Sequence, residues 1–312
     1  MKKVVILGAA GYIGSTLCSQ LLKDENIKVL AVDNFYKGSC DTLIPFVSND
    51  RFEFAFGDVT DEVHMSKLLD GADVIVQLAG LVGFPICEKY KSLAHSVNVY
   101  GMYVVLKHRP ENCKLIYSST GSCYGAVEGL CTEETPTYPL SWYGQTKLTA
   151  EKLTLEEENT IVHRYATAFG VGYNTTRVNL LINDLTYQAI NNRSLNIFQA
   201  DFFRTFIHVK DICESIYHTM INFDDMHKKH RVYNVGHKDL NFSKREIVEI
   251  IKEKTGCHVT YAEVGQDMDQ RNYRVDYSRI YDSGWEAKID IEQGINELIK
   301  VTPLLTGWNS YR

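Results

Sequence analysis

The chain reads as an α/β protein, a doubly wound parallel sheet followed by a smaller C-terminal α/β region. Three observations predict this. Short β-branched runs alternate with helical stretches through the first half, the pattern of a parallel sheet with helices on both faces. The first run, VVIL at 4–7, passes directly into Gly8, Gly11 and Gly14, and a helical stretch at 12–22 overlaps the last of them. The second run, at 28–32, ends in Asp33, 19 residues after Gly14.

Strand, glycine turn and helix in that order make a cradle for a pyrophosphate. Gly8 allows the sharp turn, Gly11 lets the backbone approach the phosphates, and Gly14 lets helix and strand pack closely. The start of the helix adds unpaired N–H groups and a positive dipole. Asp33, with Asn34 beside it, stands where a carboxylate meets the hydroxyls of an adenosine ribose. A carboxylate there repels a 2′-phosphate, so the spacing predicts NAD rather than NADP; Lys37 is the nearby basic residue that weighs the other way. Without the glycines, Asp33 would be an ordinary strand-end turn residue. Together these features make the sheet Rossmann-type.

The remaining elements follow in order. Strands are predicted at 52–56, 74–78, 114–119 and 161–165, and helices at 63–69, 93–106 and 143–157. Ligands of such sheets bind beyond the carboxyl ends of the strands. Those ends carry polar or small residues: Gly8, Asp33, Gly57-Asp58, Ala79-Gly80 and Ser118-Ser119-Thr120. Asp58 is placed to reach an adenine amino group with Val59 lining the ring, although a helix N-cap explains Asp58 equally simply. Past Tyr165 the pattern changes. Helices are predicted at 180–191, 211–221, 244–255 and 291–301, and extended segments at 204–209, 231–235 and 258–262, one of which returns to the main sheet. We therefore assign 1–171 plus about 206–236 to the dinucleotide-binding domain. About 172–205 and 237–312 form the second domain, with a cleft between the two.

Composition excludes several classes. The net charge of −6 and the lack of a Lys/Arg stripe speak against a nucleic-acid surface. No apolar run is long enough to span a membrane. Met1-Lys2-Lys3 imitates a signal peptide, but the apolar run behind it ends at once in the glycine signature. The eight cysteines are scattered without a CxxC pair, as reduced thiols of a cytoplasmic protein are. His227 and His230 flank two lysines in what reads as a solvated loop, with no ligand set for a metal.

The second strong signal is Tyr143-Gly144-Gln145-Thr146-Lys147. Tyr143 and Lys147 lie one helical turn apart on one face. An ammonium beside a phenol favours the phenolate, which can take a proton from an alcohol while its carbon gives up hydride. Lys147 has donors left for the nicotinamide ribose. Thr120, at the end of the preceding strand, is placed to hold the reacting oxygen; the plainer alternative is that it caps a turn.

At this point the chain resembles the extended short-chain dehydrogenases/reductases that act on nucleotide-activated sugars, the NAD-dependent epimerase/dehydratase group. The resemblance runs through GAAGYIG, QLAG (77–80), Asn98 in SVNVYG, SSTGSCYG, YGQTK, RYATAFG (164–170), RTFIHVKD (204–211), YNVG (233–236) and DQRNYRVD (269–276). It implies a cofactor site that also includes Tyr12, Ile13, Leu78, Ala79, Gly80 and Ser118. It implies a sugar side formed by Val82, Gly83, Thr120, Gly121 and Ser122. Arg204 and Arg271 resemble the pair that clamps the diphosphate, a task suited to guanidinium forks, and Asn179 a phosphate or sugar contact. Asn98 and His208 read as structural. Relatives pair through helices like those at 93–106 and 143–157, which implies a homodimer.

One departure bears on the reaction. Dehydratases of the group carry Asp-Glu after the catalytic Thr, where this chain has Gly121-Ser122. Neither can shuttle a proton at neutral pH, so oxidation of a ring hydroxyl, at C4, remains. The outcome is either 4-epimerisation or net 4-dehydrogenation; the stretch 79–87, with Gly80 where Ala is usual, resembles GDP-heptose 4-dehydrogenases. An NADPH-dependent keto-sugar reductase and a non-catalytic NAD sensor are the rival readings, and 4,6-dehydration is the less favoured one.

Overall fold

The computed structural model describes residues 1–262 and 272–309. Its main sheet has seven parallel strands. Across the sheet they are Phe52–Phe56, Ile27–Asp33, Lys2–Leu7, Val74–Gln77, Lys114–Thr120, Thr160–Tyr165 and Val232–Val235. The strand order reverses at Lys2–Leu7, so a crevice opens at its carboxyl end, beside the glycine turn.

Both faces of the sheet are covered, which explains its apolar central strands. Side chains alternate between the faces. Val4 and Ile6 pack with Leu17 and Leu21 of the helix Tyr12–Leu21 and with Ile212 and Ile216 of Val209–Ile221. Val5 and Leu7 pack on the opposite side with Met65, Met102, Val105 and Ala150. The segment expected to rejoin the sheet is Val232–Val235, on the edge beside Thr160–Tyr165.

Two expectations need correcting. The stretch 93–106 is not one regular helix: Lys91–His95 runs into a π-helical turn, Ser96–Tyr100, and then into Gly101–His108. The wide turn carries Asn98, whose buried amide is fully used, as described below; such turns occur where a side chain must be re-aimed. The basic segment 227–230 is no loop either. Helix Phe223–Lys229 takes in most of it, with His227 stacked on Phe223 at 5.7 Å. Asp224 and Asp225 in its first turn and Lys228 and Lys229 in its last suit the helix dipole.

The C-terminal region has its own core, in which Ile182, Leu185, Phe206, Ile247, Ile251 and Ile295 meet. Ser243 and Glu246 form a capping box that starts the helix Lys244–Thr255. Three parallel pairings escaped the sequence reading: Ser194–Phe198 with His258–Ala262, Ala126–Cys131 with Asn272–Val275, and Thr167–Phe169 with Phe203–His208. The second brings Tyr273 against Tyr124, close to the end of the strand Lys114–Thr120. All eight cysteines are free, and all but Cys40 are buried. No helix among the described residues is long and apolar enough to cross a membrane.

Candidate active site

The glycine turn has the close contacts its sequence requires. Gly8 has φ +86°, and a Cβ there would lie 2.7 Å from the Ala79 backbone nitrogen. A Cβ on Gly14 would lie 2.2 Å from the Gly8 carbonyl oxygen. Gly11 begins the helix Tyr12–Leu21 with no side-chain cap, which leaves the first-turn N–H groups to a ligand. Tyr12 and Ile13 occupy that first turn. The Tyr12 side chain is committed elsewhere: its hydroxyl donates to the Gly170 carbonyl at 2.8 Å, and burial pushes its ionisation well up. Only its backbone can serve a phosphate.

Asp33 ties the turn to the second strand. Oδ2 accepts the Ala10 N–H at 2.9 Å and Oδ1 accepts the Phe35 N–H at 2.7 Å. An ionised carboxylate has about four acceptor positions, so each oxygen keeps room for a ribose hydroxyl. Asn34 donates from Nδ2 to Asp58 Oδ2 at 2.8 Å, while Asp58 Oδ1 accepts the Thr60 N–H and hydroxyl. Burial alone would push the Asp58 carboxyl up, but these hydrogen bonds outweigh it and hold the group below its ordinary value. Asp58 is thus a turn former as well as an adenine candidate; the helix N-cap is Asp61. Val59 is buried against Gly101.

At the fourth strand end, Leu78 donates its N–H to Leu7 and Ala79 to the Gln77 side chain. Gly80 lies against Asn98. The Asn98 oxygen accepts the Leu81 N–H at 2.7 Å, and its amide donates to the Leu81 carbonyl and the Thr146 hydroxyl. Asn98 therefore fastens the 78–81 loop to the helix that carries Tyr143 and Lys147. A Cβ on Gly80 would approach the Asn98 oxygen to 3.0 Å.

That helix, Trp142–Glu156, is capped by Ser141, whose hydroxyl accepts the Gly144 N–H at 3.1 Å. Gly144 brings the helix start close to the turn after Thr120, since a Cβ would sit 3.1 Å from the Ser122 carbonyl. Tyr143 packs on the small cluster of Leu81, Cys87 and Ala94. Lys147 is 4 % exposed, and its ammonium lies 4.3 Å above the centre of the Tyr117 ring. Burial drives its pKa down to about 7, opposed by the nearby Glu151 and Cys87. Among the described residues no acceptor is hydrogen-bonded to this ammonium.

Thr120 ends its strand and caps the following turn: its hydroxyl donates to Ser122 Oγ at 3.0 Å and accepts the Ser122 N–H at 3.1 Å. The plainer role is therefore real, and a catalytic role has to be added to it. Ser118 lies on the strand face opposite Tyr117 and Ser119, buried beside the Tyr165 hydroxyl. Gly121 is a contact point: a Cβ would meet the Tyr273 hydroxyl at 3.1 Å and the Tyr165 carbonyl at 3.3 Å.

Among the residues expected at the sugar, Gly83 (φ +111°) starts the helix Phe84–Lys89. The Val82 carbonyl accepts from Arg177 Nη2 at 3.4 Å, and Asn179 Oδ1 accepts from Arg177 Nε at 2.8 Å. Arg177 was missed in the sequence. Burial holds it below its ordinary value, opposed by Tyr143 and Tyr12, which places a guanidinium within electrostatic reach of the candidate base. Its only sequence signal was a lone Arg at the start of RVNLLIND. Arg204 is buried on the strand Phe203–His208. Arg271 lies outside the described residues.

The residues fit an NAD molecule on the turn's open N–H groups, the half-used Asp33 carboxylate and the Lys147 ammonium.

Comparison with known proteins agrees with this geometry. The model of the NAD dependent epimerase/dehydratase family matches residues 4–236. An uncharacterized UDP-glucose epimerase of Bacillus subtilis is 29% identical over 231 residues, 69% of this chain and 71% of that protein. A UDP-glucose 4-epimerase of Lactobacillus helveticus is 28% identical, covering 83% of each chain. Among solved structures, the UDP-glucuronic acid 4-epimerase from Bacillus cereus, in complex with UDP-glucuronic acid and NAD, superposes with a TM-score of 0.85. It has 24% identity, with 97% of this chain and 99% of that one covered. The dTDP-glucose 4,6-dehydratase from Bacillus anthracis, in complex with NAD, gives 0.83 at 24% identity, with 99% and 98% covered. At that identity the two structures establish a shared fold.

Proposed function

Since the chain belongs to the NAD dependent epimerase/dehydratase family, we propose that it oxidises a ring hydroxyl, C4, of a nucleotide-diphosphate sugar with NAD, as a 4-epimerase or a 4-dehydrogenase. The observation that carries this reading is Lys147. Its side chain is almost wholly buried, with the ammonium over the Tyr117 ring and a pKa brought down to about 7, and it sits one helical turn from a tyrosine.

The chain's own residues divide the work. The glycine turn and the start of Tyr12–Leu21 hold the pyrophosphate, Asp33 the adenosine ribose, and Lys147 the nicotinamide ribose. Tyr143 Oη takes the proton of the C4 hydroxyl, favoured by the Lys147 charge. Thr120 turns its hydroxyl from Ser122 to the same oxygen and fixes its approach. Bound NAD supplies the hydride acceptor. Arg204 and Arg271 bind the diphosphate, and Asn179 and Arg177 border the sugar. The division of the chain into 1–171 plus about 206–236 for NAD and the rest for the sugar nucleotide is part of the same proposal.

The crowding at Gly121 favours C4 redox chemistry over 4,6-elimination. An acid at 121 would need the space taken by the Tyr273 hydroxyl, and Ser122 is a poor proton shuttle at neutral pH.

A panel of UDP-, GDP-, CDP- and dTDP-sugars tests the reading, with absorbance at 340 nm and product stereochemistry by NMR. One base class should turn over, giving either inversion at C4 or free NADH, and NADH should bind at least about tenfold more tightly than NADPH because of Asp33. Tight NADPH binding with reduction of keto-sugars would replace this reading with the reductase. The proposal includes a homodimer. Tyr100 and Tyr103, exposed and stacked at 6.1 Å on the segment expected to pair, support it. Light scattering should then give twice the chain mass of 35.6 kDa.

A further inference from the structure

Tyr143, Lys147 and Glu151 recur every fourth residue along Trp142–Glu156, so they share one stripe of the helix. The stripe is fastened to the strand Lys114–Thr120. Tyr117 donates its hydroxyl to the Lys147 carbonyl at 3.2 Å and sets its ring under the ammonium. Ser119, next to Thr120, donates to Glu151 Oε2 at 2.5 Å. Glu151 is 1 % exposed. Arg164, on the neighbouring strand Thr160–Tyr165, grips its Oε1 from Nε at 3.0 Å and Nη2 at 2.6 Å. The third Arg164 nitrogen, Nη1, donates to the Tyr124 hydroxyl and the Glu133 carbonyl.

We propose that Glu151 is a positioning residue for cofactor capture: its buried charge keeps Lys147 protonated in an apolar slot, and Ser119 and Arg164 hold that charge in place. The inference rests on the proposed role of Lys147. The groups facing the ammonium are Glu151 on its own helix, Tyr117 from the strand, and Cys87 from Phe84–Lys89, with Tyr143 one helical turn before it. Burial pushes the Cys87 thiol up to about 11 and the Tyr117 hydroxyl well above its ordinary value, so both are neutral near pH 7. Glu151, ion-paired with Arg164, supplies the negative charge. Arg164, Ser119, Tyr117 and Cys123 face Glu151 in turn. Both Arg164 bonds fall on Oε1, whereas Oε2 accepts from the neutral Ser119 hydroxyl, so one carboxylate oxygen is left without a cationic partner. Lys147 already sits near neutrality with Glu151 in place, and its loss would leave a neutral amine at working pH. A neutral amine grips ribose oxygens less strongly than a charge-assisted donor.

NAD affinity, measured by fluorescence titration from pH 6 to 9, tests this without turnover. Glu151→Gln should bind NAD within about threefold of wild type at pH 6 and at least about tenfold more weakly at pH 8, because each unit of lost pKa is a decade. Glu151→Asp keeps the charge but shortens the bridge. It should follow the wild-type pH profile even where its melting temperature falls. If Glu151→Gln does not fold, Glu151→Gln with Arg164→Met removes the carboxylate while replacing the ion pair by neutral groups, a change buried pairs often tolerate. It should shift the profile in the same direction. A profile parallel to wild type in the folded variant, or equal shifts in the Gln and Asp variants, overturns the proposal. A wild-type protein that binds no NAD at any pH overturns the parent reading instead.

Discussion

Tyr143→Phe should lower sugar-dependent turnover by about 10³-fold, within the range that a positioned general base contributes, while NAD affinity changes by less than about threefold. The asymmetry follows from what each part of the residue touches. The ring packs on Leu81 and Cys87, and Phe keeps that packing, so the loop 78–81 and the helix start stay in place. Only the oxygen is lost, and with it the acceptor for the C4 proton. In the proposed site NAD binding rests on the glycine turn, Asp33 and Lys147, none of which needs that oxygen. Single-turnover measurement of NADH at 340 nm together with fluorescence titration of NAD separates the two quantities. Retained turnover would remove Tyr143 as the base. Joint loss of turnover and NAD binding would mean that the hydroxyl serves the cofactor site rather than the chemistry.

Much of this arrangement is legible in the residues themselves because it is local. Gly8, Gly11, Gly14 and Asp33 lie within one strand–turn–helix–strand unit, and Tyr143 and Lys147 within one helical turn. Their geometry follows from chain stereochemistry and needs no knowledge of the rest of the fold. What escaped is long-range or hidden by ambiguous patterning. The pairing of Ala126–Cys131 with Asn272–Val275 joins segments far apart in sequence, neither with clean alternation. It nevertheless puts Tyr273 over Gly121, the contact that gives the Gly121-Ser122 departure its physical sense. The π turn at Ser96–Tyr100 preserves the apolar look of a helix and reveals itself only through the three hydrogen bonds of Asn98. Arg164 did leave a signal. An arginine inside the buried strand TIVHRY must find partners, since a buried guanidinium is rarely left alone. Glu151, one turn past Lys147, was the partner to look for.

The second large effect is expected at Lys147, where function and stability should move in opposite directions. Lys147→Met should reduce turnover by about 10²–10³-fold, since it removes both the ribose donor and the charge that favours proton loss from Tyr143. The same change should make the protein without cofactor more stable. The native ammonium is buried, with a pKa brought down to about 7, whereas an unfolded lysine titrates near about 10.4. The folded state therefore holds this proton less tightly than the unfolded state. The resulting penalty is present in full below about pH 7 and is relieved as pH rises towards about 10. A methionine of similar length fills the slot without that penalty and keeps a sulfur against the Tyr117 ring, although it loses the cation–π contact, about 0.5–2 kcal/mol. The net gain should be about 3–4 kcal/mol at pH 6, from the balance of the pKa depression against that contact, and should shrink steadily by pH 9. Denaturant unfolding of both proteins at pH 6, 7.5 and 9 measures it. A stability difference independent of pH would mean that Lys147 titrates alike in both states, and that its ammonium is not held in reserve for a ligand. Saturating NAD should reverse the order for wild type, because a ligand that binds only the native state adds RT ln(1 + [L]/Kd) to its stability. The variant, deprived of its ribose donor, should gain less.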